Sequence, residues 1–556
     1  MIRCPRFSVA LIFALVPLAV SAAHVRQESF PAQPSTPISV FSHDAVSIPV
    51  AAPENEQQAM HELDELARLN KDGLRTEYDL MDASWFAPES GYRSLRAADW
   101  PSGPDAWLAK CRATGIRPGM RIDGNATPQR AQIPAAWKNS LGQDGQSLSL
   151  FEGGYLPDLI AALQSWYDRG VRLFDFGSVD LSAATPASAA KMSSSQIAAG
   201  NVAALREALQ LFRDKNRDAV IVVSLGPEVH GNLLISPKAG AISAETSATS
   251  HADWDALSPF AQIESAGFTA TGVADSGMHA WKGAFLLSLA HEGRLHSIHG
   301  DLSLVEKDDA RWMAHAQRLF LSLQEEGSTR SFGAPAGSGE CYGFAASNPH
   351  GSVYIIVNPG EIAATLSLPA IGPRAEDSSD GRVQFSDAGF TPILNDNAIT
   401  LGPGQMAMVG YGAYASSSFN FGVEQDVVIP RSVEPVDAQF YSTDSATLVA
   451  SFQPPIDGIV RVVLRPRTSG AQSPDGPVAP ALAYSDKQAF TLDASQYGRP
   501  IPVRLENDGG KHGPTGWMVG EIDVNDLTPG VPLVVQFHAN DTDMASVQAN
   551  AYAVEY

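Results

Sequence analysis

Between residues 59 and 330, short apolar runs alternate with stretches of helical periodicity. Met60, Leu63, Leu66 and Leu69 recur at three-residue spacing among charges, which predicts a helix over 54–71. The runs at 77–86, 116–122, 148–151, 171–176 and 219–225 read as strands, with helices over 105–114, 156–168 and 201–214 between them. Gly170 stands where a helix must stop before the strand at 171–176. The run AVIVVSL at 219–225 is β-branched throughout, as suits a strand buried on both faces. Weaker runs at 241–245, 267–273 and 295–299 complete a set of eight. Strands alternating with helices form right-handed βαβ units and a parallel sheet. Eight such units in about 260 residues predict an α/β fold of the closed (β/α)8 TIM-barrel type.

After residue 330 the pattern changes to short strands between Gly, Pro and Asn, at 342–347, 352–358, 364–368 and 406–411. A second β-rich stretch follows, with alternation at 446–452, 459–464 and 533–537. The expected order is a leader segment over 23–58, the barrel over 59–330, an antiparallel β-sandwich over 331–415 and a second β-rich domain over 416–556. Trp517, Tyr497 and Tyr484 make the last of these a candidate carbohydrate-binding unit or an ordinary packing domain.

The first residues add a compartment. Arg3 and Arg6 precede an apolar stretch to Val20, and Val20-Ser21-Ala22 offers small residues for cleavage. This predicts a signal peptide over 1–22 and a secreted or periplasmic protein. The apolar stretch is too short to span a bilayer comfortably. The formal charge is −23, and removal of the two arginines makes it −25. So acidic a chain argues against nucleic acid and anionic membranes as main partners, and leaves a neutral oligo- or polysaccharide open. Cys111 and Cys341 would be the cysteines left, either paired or as two separate thiols. His279, His291, His296 and His299 do not fall on one helical face, and DVNDLTPG and HANDTDMA depart from the calcium-loop pattern, so no metal or other cofactor is expected.

In a barrel the reactive groups follow the carboxyl ends of the strands. That places Asp82 and Trp85 at the end of the first predicted strand, and Asp123 and Asn125 at the end of the second. Asp175 ends the fourth, Glu245 lies near the sixth, and Asp301 follows the eighth. Carboxylates at one rim beside an aromatic ring suit a sugar site, although an isolated strand-end Asp is often a helix N-cap.

The segments YDLMDASWF, WPSGPDAWLAKCRATGIRPGMRI, YLPDLIAALQSWYDRGVRLFDF and LHSIHGDLSLVEKDDARWMAHAQ resemble, in that order, successive strand–helix steps of the α-galactosidase-like glycoside hydrolases of families 27 and 36. The resemblance spans about 60–410. It implies a retaining α-glycosidase with Asp175 as nucleophile, and with Asp82, Trp85, Asp123 and Asp301 binding substrate. In ISAETSATSHADW, Glu245 is the nearest match to the acid/base, with Asp253 in reserve. The sequence also departs from the family. Leu173 stands where a lysine is usual two residues before the nucleophile, and SLGPEVHGN replaces a Cys- and Gly-rich turn. These departures fall on substrate binding, so a catalytically inactive glycan-binding relative on the same barrel is the alternative. An envelope-associated scaffold is a third reading.

Overall fold

A computed structural model describes residues 38–42, 55–126, 133–225, 231–235, 243–244, 265–268, 281–292, 295–300, 302, 305–326, 328–334, 339–371, 381–424, 432–466, 490–507, 517–539 and 547–556. The predicted signal peptide, Glu245, Asp253, His279, Asp301 and Tyr484 lie outside them.

One nine-stranded sheet organises the first half. Its strands are β1 (Ile38–Ser42), β2 (Tyr78–Met81), β3 (Arg117–Ile122), β4 (Leu173–Val179), β5 (Val220–Leu225), β6 (Gly231–Ile235), β7 (Ser243–Ala244), β8 (Ser265–Phe268) and β9 (Leu295–Gly300). Their order is β7-β6-β5-β4-β3-β2-β1-β9-β8. From β8 to β5 every pairing is parallel. β6 then pairs antiparallel with β5, and β7 with β6. Among the described residues the α-helices are α1 (Glu56–Lys71), α2 (Asp105–Thr114), α3 (Tyr155–Arg169), α4 (Pro186–Ala189), α5 (Ser194–Lys215), α6 (Trp281–Glu292) and α7 (Lys307–Glu326).

Two expectations are corrected. Among the described residues the sheet curls but does not close, because no pairing joins β7 to β8. The cause is local: β5 and β6 are separated by residues 226–230 alone. A parallel crossover takes about a dozen residues, whereas so short a connection returns as a hairpin. The run at 148–151 is also not a strand. Its place is taken by β1, from the leader segment, which inserts between β2 and β9.

Local signals account for the helices. Asn55 caps α1 in a reciprocal box with Gln58, and Ser193 does the same for α5 with Gln196. Gly170 ends α3 in a left-handed conformation (φ 114°), as expected from its position before β4. Leu63, Leu66 and Leu69 of α1 and Leu159, Leu163 and Trp166 of α3 pack into one core with Phe41, Met81, Met120, Ile122, Phe174, Phe176, Ile221 and Val223. Those strand residues all lie on one face. The alternate residues Val40, Tyr78, Leu80, Leu173, Val220 and Val222 form a separate cluster on the other, concave face.

The second half holds two sandwiches. In the first, a six-stranded sheet faces a three-stranded one, and its strand Gly422–Glu424 pairs with Arg382–Asp387, so this unit extends past residue 415. It seats on the last two helices. Trp312 of α7 packs on Phe385 and Phe421 and donates its Nε1–H to the Phe421 carbonyl (3.1 Å). The buried Glu424 carboxylate accepts from the N–H groups of Lys282 and Gly283 at the start of α6 (3.0 and 3.1 Å), where the helix dipole favours an anion. The second sandwich, over 432–556, has two five-stranded sheets and its own core. It meets the first through Arg461, which pairs with Glu361 (2.7 Å), and through Trp517, whose ring lies on Gly339. Trp517 is therefore a packing residue, while Tyr497 is 82% exposed at a hairpin tip.

Cys111 and Cys341 are not disulfide-bonded. Among the described residues no helix is long and apolar enough to cross a membrane.

Candidate active site

The concave face is layered by strand register. Val40, Tyr78 and Arg117 lie side by side at the amino-terminal end of the sheet. The next rung up carries Ser42, Leu80, Gly119, Leu173 and Val220. Gly119 is required there: a Cβ would stand 2.3 Å from the Leu80 side chain. Leu173 is thus sealed in an apolar plug rather than presented to a ligand.

Above the plug the chemistry changes. Arg121 of β3 lies in register with Asp175 of β4, and Asp175 with Val222 of β5. Asp82 follows β2 on the same side, and Asp123 follows β3 two residues beyond Arg121. Their electrostatic coupling brings all four together: Arg121 acts on both Asp175 and Asp123, and Asp82 acts on Asp123. Burial pushes the Asp175 carboxyl above the ordinary carboxylate range, and the Arg121 guanidinium opposes that push. Crowding by surrounding protein, with the charge of Asp82, also raises Asp123, against the pull of Arg121 and the Tyr92 hydroxyl. Asp123 is nonetheless exposed to solvent.

The loops around this rim are tightly held. Asp82 caps the short turn Ala83–Trp85, with its carboxylate accepting from the Ser84 N–H (2.8 Å). Gly91 and Tyr92 both adopt left-handed conformations (φ 58° and 62°), a tight reversal that is uncommon for a tyrosine. It is held by Phe86 and Trp137 rings against Tyr92 and by the Trp166 Nε1–H, which donates to the Tyr92 carbonyl (2.5 Å). The Tyr92 hydroxyl accepts from the Asp123 N–H (3.0 Å). Asn125 is a staple: its Nδ2 donates to the carbonyls of Leu148 (2.7 Å) and Asp180 (2.9 Å), and its Oδ1 accepts from the Asp180 N–H (2.7 Å). The loops after β3 and β4 are thereby locked together.

Of the sequence candidates, the structure brings Asp82, Asp123 and Asp175 to one rim. It does not place Trp85 with them. That ring has no exposed surface and packs on Trp100 (centroids 4.5 Å apart) and Trp107 (5.9 Å), so it offers no face to a sugar. In the turn that Asp82 caps, the side chain two residues after Ala83 points into the core. Glu245 and Asp301 lie outside the described residues. His296 is buried on β9, with Nε2 against Gln324 Oε1 (2.9 Å), and burial lowers its pKa to about 4. It ties sheet to helix. Among the described residues no group of three or more His, Cys, Asp or Glu could hold a metal ion.

Two rim residues went unnoticed in the sequence. Arg121 was legible, since strand alternation puts residues 119, 121 and 123 on one face. Tyr92 was not, because its position depends on a left-handed reversal with no local signature beyond Gly91.

No protein-family profile matches the chain, and no curated protein matches it. Among solved structures it is similar to a GH36 α-galactosidase from Geobacillus stearothermophilus (11% identity, TM-score 0.44, covering 67% of this chain and 55% of that one). It is also similar to α-galactosidase I from Mortierella vinacea (12% identity, TM-score 0.40, covering 68% and 96%). A third is the trehalose-6-phosphate hydrolase of Bacillus licheniformis (10% identity, TM-score 0.42, covering 68% and 99%). The chain thus spans little more than half the length of the Geobacillus enzyme. The solved structures to which it is similar include the α-galactosidase class that its motifs resemble.

Proposed function

We propose that the protein is an exported retaining α-glycosidase that hydrolyses α-linked glycans, with Asp175 as nucleophile. The observation that carries this reading is the rung Arg121–Asp175 at the carboxyl end of a parallel sheet, above an apolar plug and beside Asp82 and Asp123. A nucleophilic carboxylate must be ionised although burial disfavours its charge, and Arg121 supplies the opposing field. Asp175 would attack the anomeric carbon to give a covalent glycosyl-enzyme, which water then hydrolyses. The reaction needs a second carboxylic acid, for which the sequence offers Glu245. The α-configuration and the galactoside preference rest on the motif resemblance alone, and export rests on residues 1–22.

Leu173 favours a second reading. A buried leucine in the plug replaces the cation that related sites use for substrate hydroxyls, which fits a glycan-binding protein without turnover. A panel of aryl α-glycosides separates the two. Hydrolysis with retained configuration, abolished by Asp175→Asn, supports the enzyme. Sugar binding with no turnover by the wild type supports the binder.

A further inference from the structure

We infer that Tyr92 is a positioning residue for Asp123: from a left-handed turn of the backbone, its hydroxyl holds the Asp123 main chain and so sets how that carboxylate meets a sugar hydroxyl. The inference deepens the glycosidase reading above and takes from it the role of Asp123 in binding substrate. Tyr92 has a positive φ (62°), which among the described residues it shares with one other non-glycine residue, Tyr497. Tyr497 stands on an exposed hairpin tip, where the two-residue turn Tyr497-Gly498 imposes that conformation. Tyr92 stands beside the candidate site, and a bulky residue keeps such a conformation only where its surroundings over-determine it.

Those surroundings are specific. Gly91 lets the chain turn beneath the Trp137 ring, since a Cβ there would stand 2.8 Å from it. The Trp166 Nε1–H donates to the Tyr92 carbonyl (2.5 Å), and the Phe86 and Trp137 rings lie against the phenol (centroids 5.4 and 6.2 Å away). Arg93, the next residue, donates to both carboxylate oxygens of Asp158 on α3 (3.0 and 2.8 Å). The Trp137 Nε1–H donates to the same carboxylate (2.8 Å). The reversal is thus fastened to α3 on either side of Tyr92, and its hydroxyl reaches the loop after β3.

There the hydroxyl accepts from the Asp123 N–H (3.0 Å). The β3–β4 ladder ends at Ile122↔Phe176, so Asp123 is the first residue beyond it, and this bond takes over where the ladder stops. The two residues that follow are held as well. Tyr155 donates its hydroxyl to the Gly124 carbonyl, and Asn125 ties the loop to Leu148 and Asp180. The backbone under the Asp123 carboxylate is therefore set before a ligand arrives. Charge acts in the same direction. Burial and the charge of Asp123 hold the Tyr92 phenol neutral, and burial does the same for Tyr155. Burial and Asp82 push the Asp123 carboxyl up, while Arg121 and Tyr92 draw it down. Tyr92 thus favours the ionised carboxylate, the form that only accepts hydrogen bonds, as from sugar hydroxyls.

The test compares wild type, Tyr92→Phe, Asp123→Asn and the double variant. Tyr92→Phe keeps the ring and removes only the hydroxyl. The first readout needs no turnover: nuclear magnetic resonance of isotope-labelled aspartate carboxyls, with Asp123 assigned by the signal missing from Asp123→Asn. In Tyr92→Phe the Asp123 midpoint should move to higher pH. A purely structural role would leave it in place. The second readout is kinetic, on the aryl α-glycosides named above. Tyr92→Phe should raise KM about 10-fold and lower kcat far less, the mark of binding lost equally from ground and transition states. The acid limb of kcat/KM should move to higher pH together with the carboxyl. The double variant should be no worse than Asp123→Asn, because a residue acting through Asp123 then has nothing left to act on. An unmoved Asp123 midpoint, or single-variant losses that add in the double variant, would overturn the assignment. A wild type that cleaves no glycoside sinks the glycosidase reading alone; the carboxyl titration, with sugar affinity in place of KM, still decides whether Tyr92 acts on Asp123.

Discussion

Replacing Trp85 by alanine asks whether the residue belongs to the core or to the site. Its ring is fully buried, 4.5 Å from Trp100 and in edge contact with Trp107, in the same cluster as Leu63 and Met81. Truncating a buried Trp to Ala costs about 3–5 kcal/mol, the removed transfer energy plus the cavity left behind. Loss of the two aromatic contacts belongs inside that range, so about 4 kcal/mol is expected. For a unit of this size each kcal/mol shifts the unfolding midpoint by roughly 2–4 °C, which gives a fall of about 10 °C. The assay is thermal and urea unfolding of wild type, Trp85→Ala and Trp85→Phe, with sugar affinity measured on the fraction that remains folded. The expected pattern is a large loss of stability, smaller for phenylalanine, with little change in affinity at low temperature. An alanine variant within about 1 kcal/mol of wild type, paired with a tenfold loss of affinity, would refute the placement of Trp85 and restore it as a sugar wall.

Three other outcomes follow from the structure. The His296 ring stays neutral in the fold down to about pH 4, while the unfolded chain protonates it near 6.5. Its contribution is therefore complete above pH 6.5 and shrinks as pH falls toward 4, by about 3 kcal/mol. Unfolding of His296→Gln should be correspondingly flatter across that window. Asp175 has a raised carboxyl pKa in the fold, so the fold favours its neutral form, and that advantage is lost as pH rises through the raised value. Asp175→Asn should then unfold later than wild type at pH 7, with the difference vanishing below the ordinary carboxylate value of 3.8; an earlier midpoint at pH 7 would count against burial as the cause. Gly339→Ala would place a Cβ 1.7 Å from the Trp517 ring and should loosen the contact between the sandwiches by about 1–3 kcal/mol. Limited proteolysis should release the second sandwich faster, and an unchanged digestion pattern would exclude that contact as a clamp.

The sequence by itself determined what depends on local periodicity and local stops. The helices α1, α2, α3 and α5, the strand that delivers Asp175, the glycine that ends α3 and the two β-rich units all follow from repeats of 3.6 or 2 residues and from Gly, Asn and Ser at element ends. The same reading put Asp82, Asp123 and Asp175 at strand ends, where a parallel sheet gathers reactive groups. Tertiary structure decided the rest, because those choices turn on partners distant in sequence. The insertion of the leader strand β1 between β2 and β9 needs pairing across about 250 residues. Trp85 and Asp82 are three residues apart, and only the turn between them decides which faces the core and which the rim. Leu173 looked like a lost cation; in the fold it belongs to the plug, and the charge beside Asp175 comes from Arg121 on the neighbouring strand. That compensation is a matter of register, which no single strand encodes.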